Sequence, residues 1–335
     1  MARRLFQYDP LISYRFIPCL KARVDHESGG YLFKTNTLGF RSKHEFNKCK
    51  EPNQKRVLIF GDSFTAGDGV SDGKRYSDIL ENMLPNTEIF NFGMPGTGTD
   101  QHYLIWKNFA MDIEHDLVII GLQVHNINRI IARYRKYLNK EGNTILLAKP
   151  YFELDSYGRI QLRNVPVPPE KLSIESLNSD QLEYIERTGR MIWLRSLIKK
   201  FGPSAKDFAQ RLVRFQPLEA YNTRLNPAWL LMEAILQKWV SEIEKPVIIC
   251  PIPLYQYIEQ ISSPNHYQER FRSIERIPKI FIHDPLQDFL QFPYNIRREF
   301  RFKVDQHFTP SGHKVLAESL LKSIKPLLTN NSTNL

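Results

Sequence analysis

The apolar run Val57-Leu58-Ile59-Phe60 passes directly into Gly61-Asp62-Ser63, and that junction limits the fold more than any other stretch of the chain. A continuous apolar run of this length reads as a strand buried on both faces, as in a parallel sheet covered by helices. Phe64-Thr65-Ala66-Gly67-Asp68-Gly69 follows as a small, polar turn, and Tyr76 to Leu84 then carries apolar residues at helical spacing before Pro85 stops it. Ser63 therefore stands at the carboxyl end of a strand, just ahead of a helix. Ligands bind at that edge of open α/β sheets. A serine there serves as a nucleophile when a base lies within reach.

The same rhythm recurs along the 335 residues. Strands are expected near residues 56–60, 87–91, 117–121, 247–250 and 279–282, with helices near 76–84, 99–112, 226–244 and 310–328. The pattern predicts an α/β fold, a three-layer α/β/α sandwich with about five parallel strands plus an inserted cap. Residues 1–50 read as an N-terminal extension packed on the main domain, 51–126 and 226–328 as the α/β domain, 127–225 as the inserted cap or lid, and 329–335 as a disordered tail. Within the insertion, residues 144–147 and 158–162 are expected to pair as a small hairpin, and 182–201 to be helical. The insertion begins immediately after Asn126, at the edge where a ligand is expected, which suits an element that selects substrates.

The base candidate lies far away in sequence. Asp305-Gln306-His307-Phe308-Thr309-Pro310 precedes the last helix, with Thr309 suited to its N-cap and Pro310 to its first position. His307 then sits on the loop entering that helix, where a wound sheet can bring it beside the first strand. Asp305 is close enough in sequence to orient its imidazole; a backbone carbonyl is the alternative. Two more strands run into loops with suitable donors for an oxyanion. Ile89-Phe90 leads into Asn91-Phe92-Gly93-Met94-Pro95-Gly96, and Leu117-Val118-Ile119-Ile120 leads into Gly121-Leu122-Gln123-Val124-His125-Asn126.

Serine, glycine, asparagine and histidine in this order, each just after a strand or before a helix, resemble the SGNH (GDSL-like) hydrolases, over roughly residues 35 to 328. The resemblance implies a flavodoxin-like sheet, a Ser63 nucleophile, a His307 base with Asp305 behind it, and an oxyanion hole from the Ser63 amide, the Gly96 amide (Gly93 as fallback) and the Asn126 side chain. It implies no cofactor and a small-molecule ester or acylated substrate. Two departures stand out. The third block, usually Gly-x-Asn-Asp, reads Val124-His125-Asn126-Ile127, and the fifth, usually Asp-x-x-His, has Val304 in the first position and its acid at Asp305. Thr37-Leu38-Gly39-Phe40-Arg41 and the stretch from Asn91 to Gln101 resemble a bacterial subgroup of these proteins.

Three functions fit these residues: an esterase, acting on an acylated carbohydrate or other small ester; an acyltransferase on the same Ser–His site; and a non-catalytic binding protein that keeps the fold. Arg41 and His125 are candidate substrate contacts. His313 falls in the first turn of the last helix and reads as a support for the loop. Thr65 occupies the last position of a Gly-x-Ser-x-Gly elbow centred on Ser63, which argues against an ordinary α/β-hydrolase.

Net charge is +10, but no nucleic-acid motif accompanies it, and the cluster Arg129, Arg133, Arg135 and Lys136 reads as a solvated basic surface. No metal is expected, since the histidines lack ligand spacing. The three cysteines are too few and too scattered for a disulfide framework, no apolar stretch approaches the length of a membrane span, and the first residues lack a signal-like apolar core. A cytoplasmic protein without membrane insertion is the expectation.

Overall fold

The computed structural model describes residues 5–138, 143–185 and 216–330. Two hairpins open the chain: β1 (Phe6–Asp9) with β2 (Ser13–Phe16), and β3 (Lys21–Val24) with β4 (Tyr31–Lys34). They pack on the main body through polar as well as apolar contacts. Gln101 Nε2 donates to the Ile12 carbonyl at 2.9 Å, and the Tyr14 hydroxyl donates to the Pro95 carbonyl at 2.7 Å.

The central sheet holds β5 (Lys55–Gly61), β6 (Thr87–Asn91), β7 (Leu117–Gln123), β13 (Val247–Ile252) and β14 (Ile280–Ile282), all parallel, in the spatial order β6-β5-β7-β13-β14. Every residue of β7 and β13 is buried, as expected of strands covered on both faces. Each wholly buried Val, Leu, Ile or Phe contributes about 1.5–3 kcal/mol. The strand order explains the layers. The chain steps from β5 to β6 in one direction and from β6 to β7 in the other, and right-handed crossovers put the two connecting helices on opposite faces. Helix Tyr76–Met83 accordingly packs with the last helix, Pro310–Asn330, and helix Thr99–Ile105 packs with helix Pro227–Ser241. β5 and β7 flank the point where the strand order reverses, and a crevice opens there in folds of this kind.

The insertion departs from expectation. Residues 144–147 do not pair with 158–162. Instead β8 (Tyr134–Leu138), β9 (Thr144–Ala148) and the two-residue β12 (Lys171–Leu172) form one small sheet, and β10 (Tyr151–Leu154) pairs with β11 (Ile160–Arg163). The closer hairpin wins because β10 and β11 need only a short turn, through Asp155, whose carboxylate accepts from the Tyr157 and Arg159 amides at 2.9 Å each. Most of the helix expected over 182–201 lies outside the described residues; the described part is a short helix, Ser179–Glu183. The helix expected over 99–112 is α-helical only to Ile105 and continues as a π-turn, Trp106–Ala110. The last helix runs on to Asn330, so residues 329 and 330 are not a tail, and 331–335 lie outside the described residues.

Candidate active site

Ser63 begins a single helical turn, Ser63–Ala66, that continues straight from β5. Asp62 caps that turn by accepting from the Phe64 amide at 3.0 Å, and Gly67 ends it in the left-handed conformation, with φ of 78°. The turn packs so closely on the sheet that a Cβ on Gly61 would lie 2.1 Å from Thr65 Oγ1 and 2.5 Å from the Gly121 carbonyl oxygen. Only glycine permits this junction.

His307 reaches Ser63 from the far end of the chain. Its Nε2 lies 2.7 Å from Ser63 Oγ, and its Nδ1 lies 2.7 Å from Asp305 Oδ2. An ionised carboxylate only accepts, so Nδ1 carries the proton and Nε2 accepts from the serine hydroxyl. Asp305, and not a backbone carbonyl, therefore stands behind the imidazole despite its shifted position. Burial pushes the imidazole pKa down, but the Asp305 hydrogen bond and the charges of Asp68, Asp305 and Asp62 outweigh it and hold the pKa above the usual histidine value. Asp68, half-buried on the loop after the Ser63 turn, was not singled out from the sequence; desolvation raises its own pKa, while His307 and Arg41 lower it.

Asn126 begins the short helix Asn126–Arg129 just after β7. Its Nδ2 donates to the wholly buried Asp62 Oδ2 at 3.2 Å, and Arg129 donates to the same oxygen at 2.8 Å. Arg129 also donates to the Thr97 carbonyl at 3.1 Å. Asp62 thus ties the turn carrying Ser63 to the helix carrying Asn126. Between the two glycine candidates, Gly93 donates its amide to Asn91 Oδ1 at 2.8 Å, so that donor is already engaged. Gly96 has φ of 73°, and a Cβ there would fall 1.3 Å from an Arg135 guanidinium nitrogen.

Two expectations about cations are corrected. Arg41 does not face a ligand. It is wholly buried and donates to the Leu32, Ala66, Gly67 and Val70 carbonyls and to Asp72, so it binds the loop following Ser63 to the N-terminal hairpin β3–β4. The cluster at 129–136 is not simply a solvated surface. Arg129 grips Asp62, Arg135 lies against Gly96 and donates to the Tyr14 hydroxyl at 2.7 Å, and Arg133 sits over the Tyr184 and Tyr151 rings at 3.7 and 4.7 Å. Charge periodicity alone carries no sign of these contacts.

His125 is half-buried beside Asn126, its backbone amide donating to Gln123 Oε1 at 2.8 Å. His313 is buried, with its pKa pushed by desolvation down to about 3, and its neutral Nδ1 accepts from the Tyr76 amide at 3.3 Å. A separate cavity of about 520 Å³ opens inside the insertion, lined by Arg133, Tyr134, Tyr151, Asn164, Asp180 and Tyr184 among others. Among the described residues no group of His, Cys, Asp and Glu is arranged to hold a metal ion, and no helix is long and apolar enough to cross a membrane.

No protein-family model matches the sequence, and no curated protein matches it. Solved structures do. The chain is similar to a member of the lipolytic protein G-D-S-L family from Veillonella parvula, at 12% identity and a TM-score of 0.42, covering 81% of this chain and 98% of that one. It is similar to an acetylxylan esterase from Geobacillus stearothermophilus, at 14% identity and a TM-score of 0.42, covering 83% and 96%. A lipase/acylhydrolase from Enterococcus faecalis matches at 14% identity and a TM-score of 0.40, covering 82% and 96%.

Proposed function

We propose that this protein is a serine esterase, an acyl hydrolase that works through a covalent acyl-serine. One observation carries the reading: a continuous relay from Ser63 Oγ through His307 to Asp305, with both contacts at 2.7 Å, at the carboxyl edge of the sheet beside its switch point. His307 Nε2 takes the serine proton as Oγ attacks an ester carbonyl. The negative charge that develops on the carbonyl oxygen is met by the Ser63 and Gly96 amides and by the Asn126 hydrogen that Asp62 does not hold. His307 then returns its proton to the departing alcohol, and in the second half-reaction it activates the water that frees the acid. No step calls on a cofactor.

The insertion, residues 127–225, serves as a cap that selects the substrate. In support, Arg135 packs on Gly96, and Lys149 reaches from the insertion to form a buried ion pair with Asp100 while donating to the Arg129 carbonyl at 2.9 Å. An acylated carbohydrate or another small ester is the proposed substrate class.

The test is incubation with a small activated ester, with and without a sugar alcohol, while free acid and acylated sugar are both quantified. Free acid as the main product in both tubes supports the esterase. Acylated sugar displacing free acid makes the protein a transferase, and turnover no faster than buffer overturns the reading. Asn126→Ala is expected to lower kcat by about 10²–10³-fold on the same ester, since one oxyanion donor is lost.

A further inference from the structure

Asp305 stands one residue nearer to its histidine than the Asp-x-x-His spacing, and Val304, in the usual position, points out with 81% of its surface exposed. Gln306 adopts a left-handed φ of 68° between Asp305 and His307. Such a loop needs support from outside itself. The support comes from the β3–β4 turn, about 280 residues earlier in the chain.

We propose that His26 and Glu27 are positioning residues, an N-terminal clamp that holds the Asp305 carboxylate against His307. The proposal rests on the hydrolase reading of Ser63, His307 and Asp305. Glu27 lies under the loop and accepts from three consecutive amides: Lys303 at 3.1 Å, Val304 at 3.0 Å and Asp305 at 2.8 Å. One carboxylate thus fixes the backbone of the segment that carries the acid. His26 fixes the side chain. Its Nδ1 accepts from the Ser28 amide at 3.2 Å, so in the neutral ring the proton is on Nε2, which donates to Asp305 Oδ2 at 3.0 Å. That is the same oxygen that accepts from His307. The His26 ring also packs edge-on against Phe302 at 4.5 Å, just ahead of the loop. Phe302 in turn donates its amide to the His307 carbonyl at 2.9 Å and closes the loop on itself.

The clamp supplies what the shortened spacing lacks. Without it, three loop amides turn to water and the carboxylate is free to rotate off Nδ1. Misplacement of a catalytic group by about 1 Å lowers turnover by as much as ~10²-fold. The charged groups facing His307 are Asp305, Asp68 and Asp62. Loss of the Glu27 contacts loosens the first of them, and with it the hydrogen bond that raises the imidazole pKa; His26 also packs against Gly69, next to Asp68.

The experiment uses the full chain and the variants Glu27→Ala, Glu27→Gln, His26→Ala and the double alanine variant. His307 is titrated by NMR, with kcat and KM measured on one activated ester. In Glu27→Ala the His307 midpoint is expected to fall, and kcat to fall by roughly 10–10²-fold with KM nearly unchanged. Glu27→Gln, which keeps one accepting oxygen, should recover part of both. The double variant should cost less than the product of the single effects, because both residues hold one loop. A His307 midpoint in Glu27→Ala equal to wild type overturns the clamp, whatever the turnover. This readout needs no catalysis, so it separates failure of the clamp from failure of the hydrolase reading, which is judged by whether Ser63→Ala keeps its turnover.

Discussion

Replacing Ser63 with alanine is expected to lower kcat on a small activated ester by about 10⁴-fold or more, leaving little beyond what the remaining oxyanion donors and binding supply. The fold should not change. Ser63 contributes its hydroxyl to His307, while the turn around it is held by the Asp62 cap and by the Arg41 bonds to the Ala66 and Gly67 carbonyls. Circular dichroism and thermal melting should therefore match wild type while turnover collapses. His307→Ala should fall about as far, because the two side chains act as one unit and their losses do not multiply. A double variant no worse than either single one is the expected signature. Turnover by Ser63→Ala within tenfold of wild type would remove the nucleophile assignment.

Asp305→Ala should cost about 10³–10⁴-fold, since the imidazole loses the partner that fixes its tautomer and supports its charged form. The pH profile carries a second, independent mark of this residue. His307 must be neutral to accept the serine proton, and its pKa is raised above the usual value, so kcat/KM should climb with pH through a midpoint above that of a free histidine. Burial lowers this pKa and the Asp305 bond raises it. Removing Asp305 must therefore move the acidic limb to lower pH even as the plateau falls. Asp68 and Asp62 remain nearby, and both still act to raise the imidazole pKa. An Asp305→Ala enzyme with near-wild-type turnover and an unmoved limb would take Asp305 out of the relay and leave a Ser–His pair. The sign for stability is the same physics seen from folding. A pKa raised on folding stabilises the protein at pH below the unfolded value, and that contribution is lost as pH rises through the folded value.

Much of this site was legible in the residues because parallel strands are written as unbroken apolar runs. β5, β7 and β13 carry such runs, and the residues at their ends, Ser63 and Asn126, follow by position alone. The meeting of His307 with Ser63 followed from the winding of the sheet. What stayed hidden was set by contacts distant in sequence. Arg41 sits in a conspicuous motif, yet its direction depends on where the β3–β4 hairpin and the loop after Ser63 meet, and there every donor is taken up internally. His26 and Glu27 belong to a turn without any local pattern, and their role exists only because residues 303–305 arrive beside them. Asp62 caps its own turn, a local role; that it also gathers Asn126 and Arg129 depends on β5 and β7 being neighbours. The pairing inside the insertion was misread because short strands such as β9 have no apolar period strong enough to name their partner, and turn length decided it.

The most direct measurement is covalent labelling by a fluorophosphonate, which reacts with a serine only when a neighbouring base activates it, followed by intact mass and peptide mapping. One adduct per chain, located on Ser63, absent in Ser63→Ala and formed more slowly as pH falls and His307 takes up its proton, is the expected result. Equal labelling of wild type and Ser63→Ala, or no adduct on wild type at any pH, would contradict the assignment of Ser63 as an activated nucleophile.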